Sequence, residues 1–309
     1  MLHSLAASRG YGQAGNNYMD DLEIRRLQEE EKTYWWHVSR RAILQSVLVR
    51  HAEFISASPV EILKRVQDDG GAQARMTRGE KPRILDVGCG TGGNLTWLSK
   101  FGKVTGIDSS EEAVNIANSA MNHLSPPPLG GGVRGGVLLG RAPAFDPNSR
   151  VRQGRAEDLP VENGEFDLVT AFDVLEHLSD EARSLGEWGR VLSTGGLLLI
   201  SVPAYQSLFG PHDRALEHLR RYDLPQLKKI LQNNDFTIVF ASYFFCLTFP
   251  LFWFQRILAK KSSHTSVQYV AVPKLINSLL IGLGKIESWW LSFAKFPFGS
   301  SIIVLAKKQ

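Results

Sequence analysis

Residues Ile84 to Gly93 read ILDVGCGTGG, four glycines in ten positions directly behind an apolar run. Glycine is favoured where a chain takes positive φ or where another molecule lies against the main chain, so this loop is expected to face a ligand. The apolar run reads as a strand over 83–87 and the residues after the loop as a helix over 93–100. Amides at such a turn, with a helix beginning behind them, suit a ligand carrying negative charge or lone pairs. Gly88, Gly90 and Gly93 formally satisfy G-x-G-x-x-G, a weak pattern by itself. Asp108, twenty residues past Gly88, adds weight, because a carboxylate ending the second strand can accept from both hydroxyls of a ribose. Asp86 narrows the ligand further. A carboxylate beside the glycines repels a pyrophosphate, yet it can order the loop and meet a cationic amino group through water. A cofactor with an amino-acid end is favoured.

Working outward, the text alternates between strand and helix. Strands are expected at 83–87, 103–107, 150–153, 166–172, 196–202 and 236–242, with helices at 93–100, 110–123, 179–192 and 223–233. Ser109 with Glu112 forms a capping box for the second helix. This rhythm implies a parallel sheet with helices on both faces. Upstream, residues 20–55 read as helical, with acids early and a stripe of Ile43, Leu44, Val47 and Leu48, followed by a linker over 56–81. The Pro- and Gly-rich stretch at 124–149 reads as a disordered surface insertion, and SSIIVLAKK at 300–308 as a final strand.

With 43% hydrophobic and 21% charged residues over 309 positions, the composition is that of a globular chain. Two cysteines, Cys89 and Cys246, provide no disulfide framework, so a reducing, cytoplasmic setting is the default. The opening MLHSLAASRGYGQ lacks the basic and apolar blocks of a secretory signal. The net charge of +4 is uneven. Residues 256–309 hold eight Lys and Arg against Glu287 alone, which is +7 and leaves −3 for residues 1–255. That basic tail overlaps an apolar stretch, 243–299. Residues 240–255 are free of charge for sixteen positions, but a spanning helix needs roughly 20 apolar residues and Pro250 interrupts this one. Helices that roof the pocket and rest on an anionic membrane surface, on the inner face of the membrane, are expected instead, with an internal helical subdomain with an ordinary core as the alternative. An apolar roof suggests a lipid-linked or otherwise apolar acceptor.

LDVGCGTGG with GIDSS, then RAEDLP, FDLVTAFDVLEHL and LSTGGLLLISVP, resembles the class I S-adenosylmethionine-dependent methyltransferases of the broad methyltransferase-11 type, with the motifs in family order over 82–202. The resemblance implies an α/β, Rossmann-like sheet of seven strands, the last antiparallel, with helices on both faces. Three regions follow: an N-terminal lid and linker (1–81), a cofactor-binding domain (82–242 plus 300–309), and an apolar helical insertion (243–299) where the family usually has a close hairpin between strands six and seven. It also implies roles. Asp86, Gly88, Cys89, Gly90 and Gly92 surround the methionine moiety. Asp108, with Ser109 beside it, holds the ribose; Ala156, Glu157 and Asp158 meet the adenine; Asp173, after the fourth strand, lies beneath the sulfonium. One departure is Arg155, where the family often has an Asp that accepts from the adenine amino group. Arg cannot accept, so Glu157, Asp158 or a backbone carbonyl must do so.

Methyl transfer is an in-line displacement in which positioning supplies much of the acceleration, and a base is needed only for an acceptor that carries a proton. His177 in FDVLEHL and His218 in HDRALEHLRRYD are the candidates. The second motif also offers His212, Arg221 and Tyr222 to an anionic acceptor, or else is a solvated helix start. Trp36 and His37 in YWWHVSRR lie in a segment that similar family members use as a lid, with plain helix-on-sheet packing the alternative. No metal is expected. Nucleic-acid methylation is disfavoured, since no Asn or Asp followed by Pro-Pro-aromatic comes after the fourth strand and neither cysteine follows a proline. The expected function is methyl transfer to a small-molecule or lipid-linked acceptor, at oxygen. An NAD(P)-dependent oxidoreductase and a non-catalytic, membrane-tied cofactor-binding scaffold are the rivals.

Overall fold

Leu197 and Leu199 join one buried cluster while Leu198 and Ile200 join another. That period of two, on a strand apolar at every position, means both sheet faces are covered. In the computed structural model, which describes residues 31–51, 81–124, 151–259 and 272–309, the strands form one seven-stranded sheet in the order β3-β2-β1-β4-β5-β7-β6. The strands are β1 Arg83–Val87, β2 Lys103–Asp108, β3 Val151–Gln153, β4 Phe166–Phe172, β5 Leu192–Pro203, β6 Phe236–Phe244 and β7 Ser301–Lys308. Only β7 runs against its neighbours, pairing antiparallel with β5 and β6. The helices are α1 Trp35–Arg50, α2 Leu95–Leu98, α3 Glu111–Leu124, α4 Glu181–Val191, α5 Pro211–Ala215, α6 Leu224–Gln232, α7 Phe249–Ala259 and α8 Lys274–Leu291.

On one face, Ile43, Leu44, Val47 and Leu48 of α1 meet Ile84, Leu168 and Leu305, so the helical stripe read from sequence is a core face. On the other, Leu185 and Trp188 of α4 and Leu227 and Leu231 of α6 cover Leu85, Val169 and Val304. The seven strands, the antiparallel last one and helices on both faces agree with expectation. Details differ. The cap of α3 is Ser110, whose Oγ accepts from Ala113 N at 3.2 Å, not Ser109. β5 begins four residues earlier than expected, because the register shifts between Phe166 and Leu168 and Gly195, at φ 72°, lets the strand continue. The linker over 56–81 and the insertion over 124–149 lie, residues 81 and 124 apart, outside the described residues.

Between β6 and β7 the apolar stretch forms α7 and α8. α8 packs along α1, and the approach is close. A Cβ on Gly284 would fall 2.1 Å from Ser39 Oγ. Asn277 accepts from Trp35 N at 2.9 Å and donates to Thr33 O at 3.0 Å, and Ser288 donates to Ala42 O at 2.9 Å. Buried Glu287 accepts from Leu247 N at 2.6 Å, which ties α8 to the exit of β6. This placement corrects the expectation of a roof: no described residue of 243–299 lines the cavity described below. α1 closes that cavity, and α8 stands behind α1.

Candidate active site

The glycine loop turns back on β2 because Gly88 N and Cys89 N both donate to Ile107 O, at 2.7 and 3.1 Å. Gly88 has φ 65°, and a Cβ there would meet Val174 Cγ2 at 2.6 Å. Gly90 has φ 55° and the opposite surroundings, with nothing within 4 Å of its notional Cβ. Main chain bordering open space in left-handed conformation is a cradle that a side chain would fill. Gly90 N donates to Asp108 Oδ2 at 2.8 Å and Ser110 N donates to Asp108 Oδ1 at 2.9 Å. Asp108 therefore binds the loop to the start of α3 while bordering the cavity.

Asp86 lies beneath the loop, buried, and is not part of the cavity lining. Thr170 Oγ1 donates to its Oδ1 at 2.6 Å, whereas Oδ2 has no partner among the described residues. Burial pushes its carboxyl up to about 7, opposed by the Thr170 hydrogen bond, the Arg40 guanidinium and the nearby Asn94 amide and reinforced by Asp108. A buried acceptor without a donor is rare in a finished structure. The orphan oxygen and the open Gly90 cradle fit a ligand that brings a cationic amino group and a ribose.

The cavity measures about 380 Å³. Its walls are the loop with Asp108 and Ser109, the turn Gly154 to Glu157, the segment Phe172 to Val174 with His177, and a lid of Glu31, His37, Arg40 and Arg41. At the expected adenine turn, Ala156 O already accepts from Trp188 Nε1 at 3.1 Å, and Glu157 O from Arg183 Nε at 3.2 Å. Glu157 lines the cavity; Asp158 does not. Arg155 is largely exposed, with its guanidinium 3.7 Å from Glu157.

The lid contributes what sequence reading missed. Arg40 is buried, pairs with the Asp173 carboxylate and stacks on Trp36 at 4.6 Å. Asp173, at φ 56°, is held from below by Ser201 Oγ at 3.2 Å, so the pair clamps α1 across the cavity. Thr91 Oγ1 donates to Glu31 at 3.5 Å, and burial raises the Glu31 carboxyl against the pull of Arg40 and Arg41. The available signal was spacing: His37, Arg40 and Arg41 share a helix face at i+3 and i+4. Burial, with Arg40 and Arg41 adding to it, depresses the His37 imidazole and keeps it neutral. Trp36 does not line the cavity but stacks on Phe245 at 6.1 Å.

HDRALEHLRRYD is not a solvated helix start, and of its residues Glu217 borders this cavity. Its centre is buried Asp213, which accepts from Gly210 N at 2.9 Å and from Arg221 Nε at 2.8 Å, with Arg256 Nη1 at 3.4 Å. Burial alone would raise its carboxyl, but the hydrogen bond with His218 and the Arg221 guanidinium hold it well below the usual range. Arg221 also donates to Ala204 O at 3.1 Å. Tyr222 is fully buried and its hydroxyl donates to Glu181, with Leu175 O 3.2 Å away. His212 is depressed to about 4 by burial and Arg256. Of the five residues expected at the substrate, only His37 borders the cavity; Arg221 and Tyr222 are consumed by internal partners. His177 lines it, and His218 stands behind His177 with ring centroids 4.7 Å apart.

A family model described as "Methyltransferase domain" matches residues 54–240, more than half of the chain. An uncharacterised 37.1 kDa protein in a Streptomyces fradiae transposon is 33% identical over 154 residues, covering 48% of this chain and 38% of that protein. The Vibrio parahaemolyticus ubiquinone/menaquinone biosynthesis C-methyltransferase UbiE is 30% identical over 155 residues, covering 49% and 52% respectively. The chain thus spans about half or less of the curated relatives it matches. A chain of the solved Haloferax volcanii complex containing the Trm112 methyltransferase activator superposes with a TM-score of 0.50 at 14% identity, over 93% of this chain and 95% of that one, a likeness of fold.

Proposed function

The chain belongs to the methyltransferase-domain family, and on that premise we propose that it moves a methyl group to a small-molecule or lipid-linked acceptor at oxygen. Its cofactor is S-adenosylmethionine, which when bound supplies a methyl group activated on a sulfonium. The observation that carries the reading is the unpartnered Oδ2 of Asp86 under an open Gly90 cradle, with Asp108 hydrogen-bonded to the same loop. Asp86 meets the amino group of the cofactor through water, Asp108 takes the ribose hydroxyls, and Glu157 takes the adenine amino group. Arg40 and Arg41 line the same cavity as the glycine loop and offer the cofactor carboxylate a fork of donors. The Arg40–Asp173 clamp excludes water, and His177 accepts the proton of a hydroxyl acceptor.

Thermal-shift comparison tests this. S-adenosylhomocysteine at 100 times its dissociation constant is expected to stabilise the protein by about 2.7 kcal/mol, and NAD by nothing measurable. The reverse order would establish the oxidoreductase. Stabilisation without transfer of labelled methyl to any lysate fraction would establish the scaffold.

The apolar character of the acceptor is inferred from α8 and α7. Leu275, Leu279, Ile286, Trp289, Trp290 and Phe293 are exposed beside exposed Lys274, Lys285 and Lys295, and α7 adds Leu251, Trp253 and Phe254. An apolar, aromatic face edged with lysines suits the surface of an anionic bilayer. Among the described residues no helix is long and apolar enough to cross a membrane. The protein is placed by this reading at the inner, cytoplasmic face of a membrane. It should co-sediment with phosphatidylglycerol vesicles at low salt and release at high salt, while a Trp289→Glu, Phe293→Glu variant stays in solution. Failure of the unaltered protein to sediment at low salt would remove the membrane from the account.

A further inference from the structure

The 3₁₀ turn Leu175–His177 that leaves β4 carries a carboxylate that neither the fold nor the cofactor accounts for. Glu176 is fully buried, and neither carboxylate oxygen has a hydrogen-bond partner among the described residues. A buried carboxylate without donors is costly and persists only when protonated or matched by a cation. Glu176 Oε1 lies 4.0 Å from His218 Nε2, and one donor atom each from Glu176, His177 and His218 all lie within 4.8 Å of one another.

The histidine behind the cluster is oriented for ligation. Asp213, ionised between Arg221 and Arg256, faces His218 Nδ1 at 3.2 Å and so orients the ring with Nε2 turned toward Glu176. A carboxylate that fixes the far nitrogen of an imidazole is the usual outer support of a metal-bound histidine. The backbone holds the arrangement as well: Leu219 N donates to Glu176 O at 2.8 Å and His218 N to Asp213 O at 2.9 Å, which locks the two segments together. Ligands about 2.1 Å from a shared tetrahedral ion sit roughly 3.4 Å apart, so closing from within 4.8 Å asks for side-chain torsions and no movement of strands. Without a cation, burial and the neighbouring Asp173 charge raise the Glu176 carboxyl well above its ordinary value.

We propose that Glu176, His177 and His218 form a site for a divalent transition metal, positioned by Asp213, with its remaining coordination position open to the cavity that His177 lines. Two imidazoles and one carboxylate suit zinc, manganese or iron(II), and three protein ligands with a fourth place open make a site that takes a ligand oxygen. The oxygen is that of the acceptor, a hydroxyl or a pair of adjacent oxygens, which the cation holds and polarises. This last step rests on the methyl-transfer reading; the metal site does not. It revises the expectation that no metal is bound, and with the metal in place His177 and His218 are its ligands, so the base role given to His177 under the proposed function falls away.

Calorimetric titration of chelator-stripped protein with zinc, and separately with manganese, tests the site. One equivalent should bind, and both His218→Ala and His218→Gln should lose at least tenfold in affinity. Asp213→Asn should lose about tenfold through the histidine it orients. In the His218 variants the melting shift with S-adenosylhomocysteine should persist, which shows a folded protein with an intact cofactor pocket. No stoichiometric uptake of either metal by the unaltered protein, or uptake unchanged in both His218 variants, overturns the proposal. Because the cofactor shift is read on the same samples, that failure is distinct from failure of the methyl-transfer reading.

Discussion

Asp108→Asn weakens binding of S-adenosylhomocysteine by about 100-fold. The carboxylate accepts Gly90 N on one oxygen and Ser110 N on the other, at 2.8 and 2.9 Å, and still has lone pairs for the ribose. An amide keeps one acceptor oxygen and turns its NH₂ toward a backbone N–H that has lost its partner. A hydrogen bond to a charged acceptor contributes about 1.5–3 kcal/mol. With the bonds to both ribose hydroxyls weakened, roughly 3 kcal/mol of binding disappears, and each 1.4 kcal/mol is tenfold. The loss falls on binding more than on folding, because the strand that carries Asp108 is held by β1 and β3 on either side. Calorimetry with the product checks the figure, beside Ser109→Ala, which is expected to stay within about threefold. Near-normal affinity in Asp108→Asn would remove the ribose assignment.

The residues that sequence reading located are those whose signal is local. A glycine at positive φ, an acid at the end of a strand and a period of two or 3.6 are visible within ten residues, and they were sufficient for the parallel strands and the loop, whereas the seventh, antiparallel strand was implied by the family resemblance. Residues whose role depends on a distant partner were not visible. Arg40 and Asp173 are 133 positions apart, and Glu287 reaches Leu247 across forty. HDRALEHLRRYD looks like a surface motif because it is dense in charge, but Asp213, Arg221 and Arg256 neutralise one another inside the protein, and only pairing reveals that. The 243–299 stretch is similar. Its composition indicates an apolar partner, and part of that partner is α1, which no periodicity within 243–299 could specify. Glu176 sat between two residues of interest in FDVLEHL, and only its burial without donors separates it from an ordinary helix-start acid.

Asp86→Asn should stabilise the cofactor-free protein in the alkaline range relative to the acidic one while impairing cofactor binding. The Asp86 carboxyl is pushed up to about 7 from an ordinary 3.8. The folded state therefore binds this proton more tightly than the unfolded chain, and the associated stability is complete below the unfolded value. As pH rises from there the stability declines, and it is lost once pH passes about 7, where a buried anion must be tolerated. Removing the ionisable group removes the decline. The melting temperature of the natural protein should fall by several degrees more than that of the variant between pH 5 and pH 8, after both are referenced to pH 5. Binding runs the other way, because the cationic amino group of the cofactor prefers the ionised carboxylate. The affinity of the natural protein for S-adenosylhomocysteine should rise roughly tenfold from pH 5.5 to pH 7.5, one pH unit of linked protonation being worth about 1.4 kcal/mol. The variant should bind at least about tenfold more weakly at pH 7.5 and show no such rise. If it keeps both the affinity and the slope, the unpartnered oxygen under the glycine loop is not the seat of the amino group. If the slope vanishes while the melting curves stay parallel, burial of Asp86 carries less cost than its single unpartnered oxygen implies.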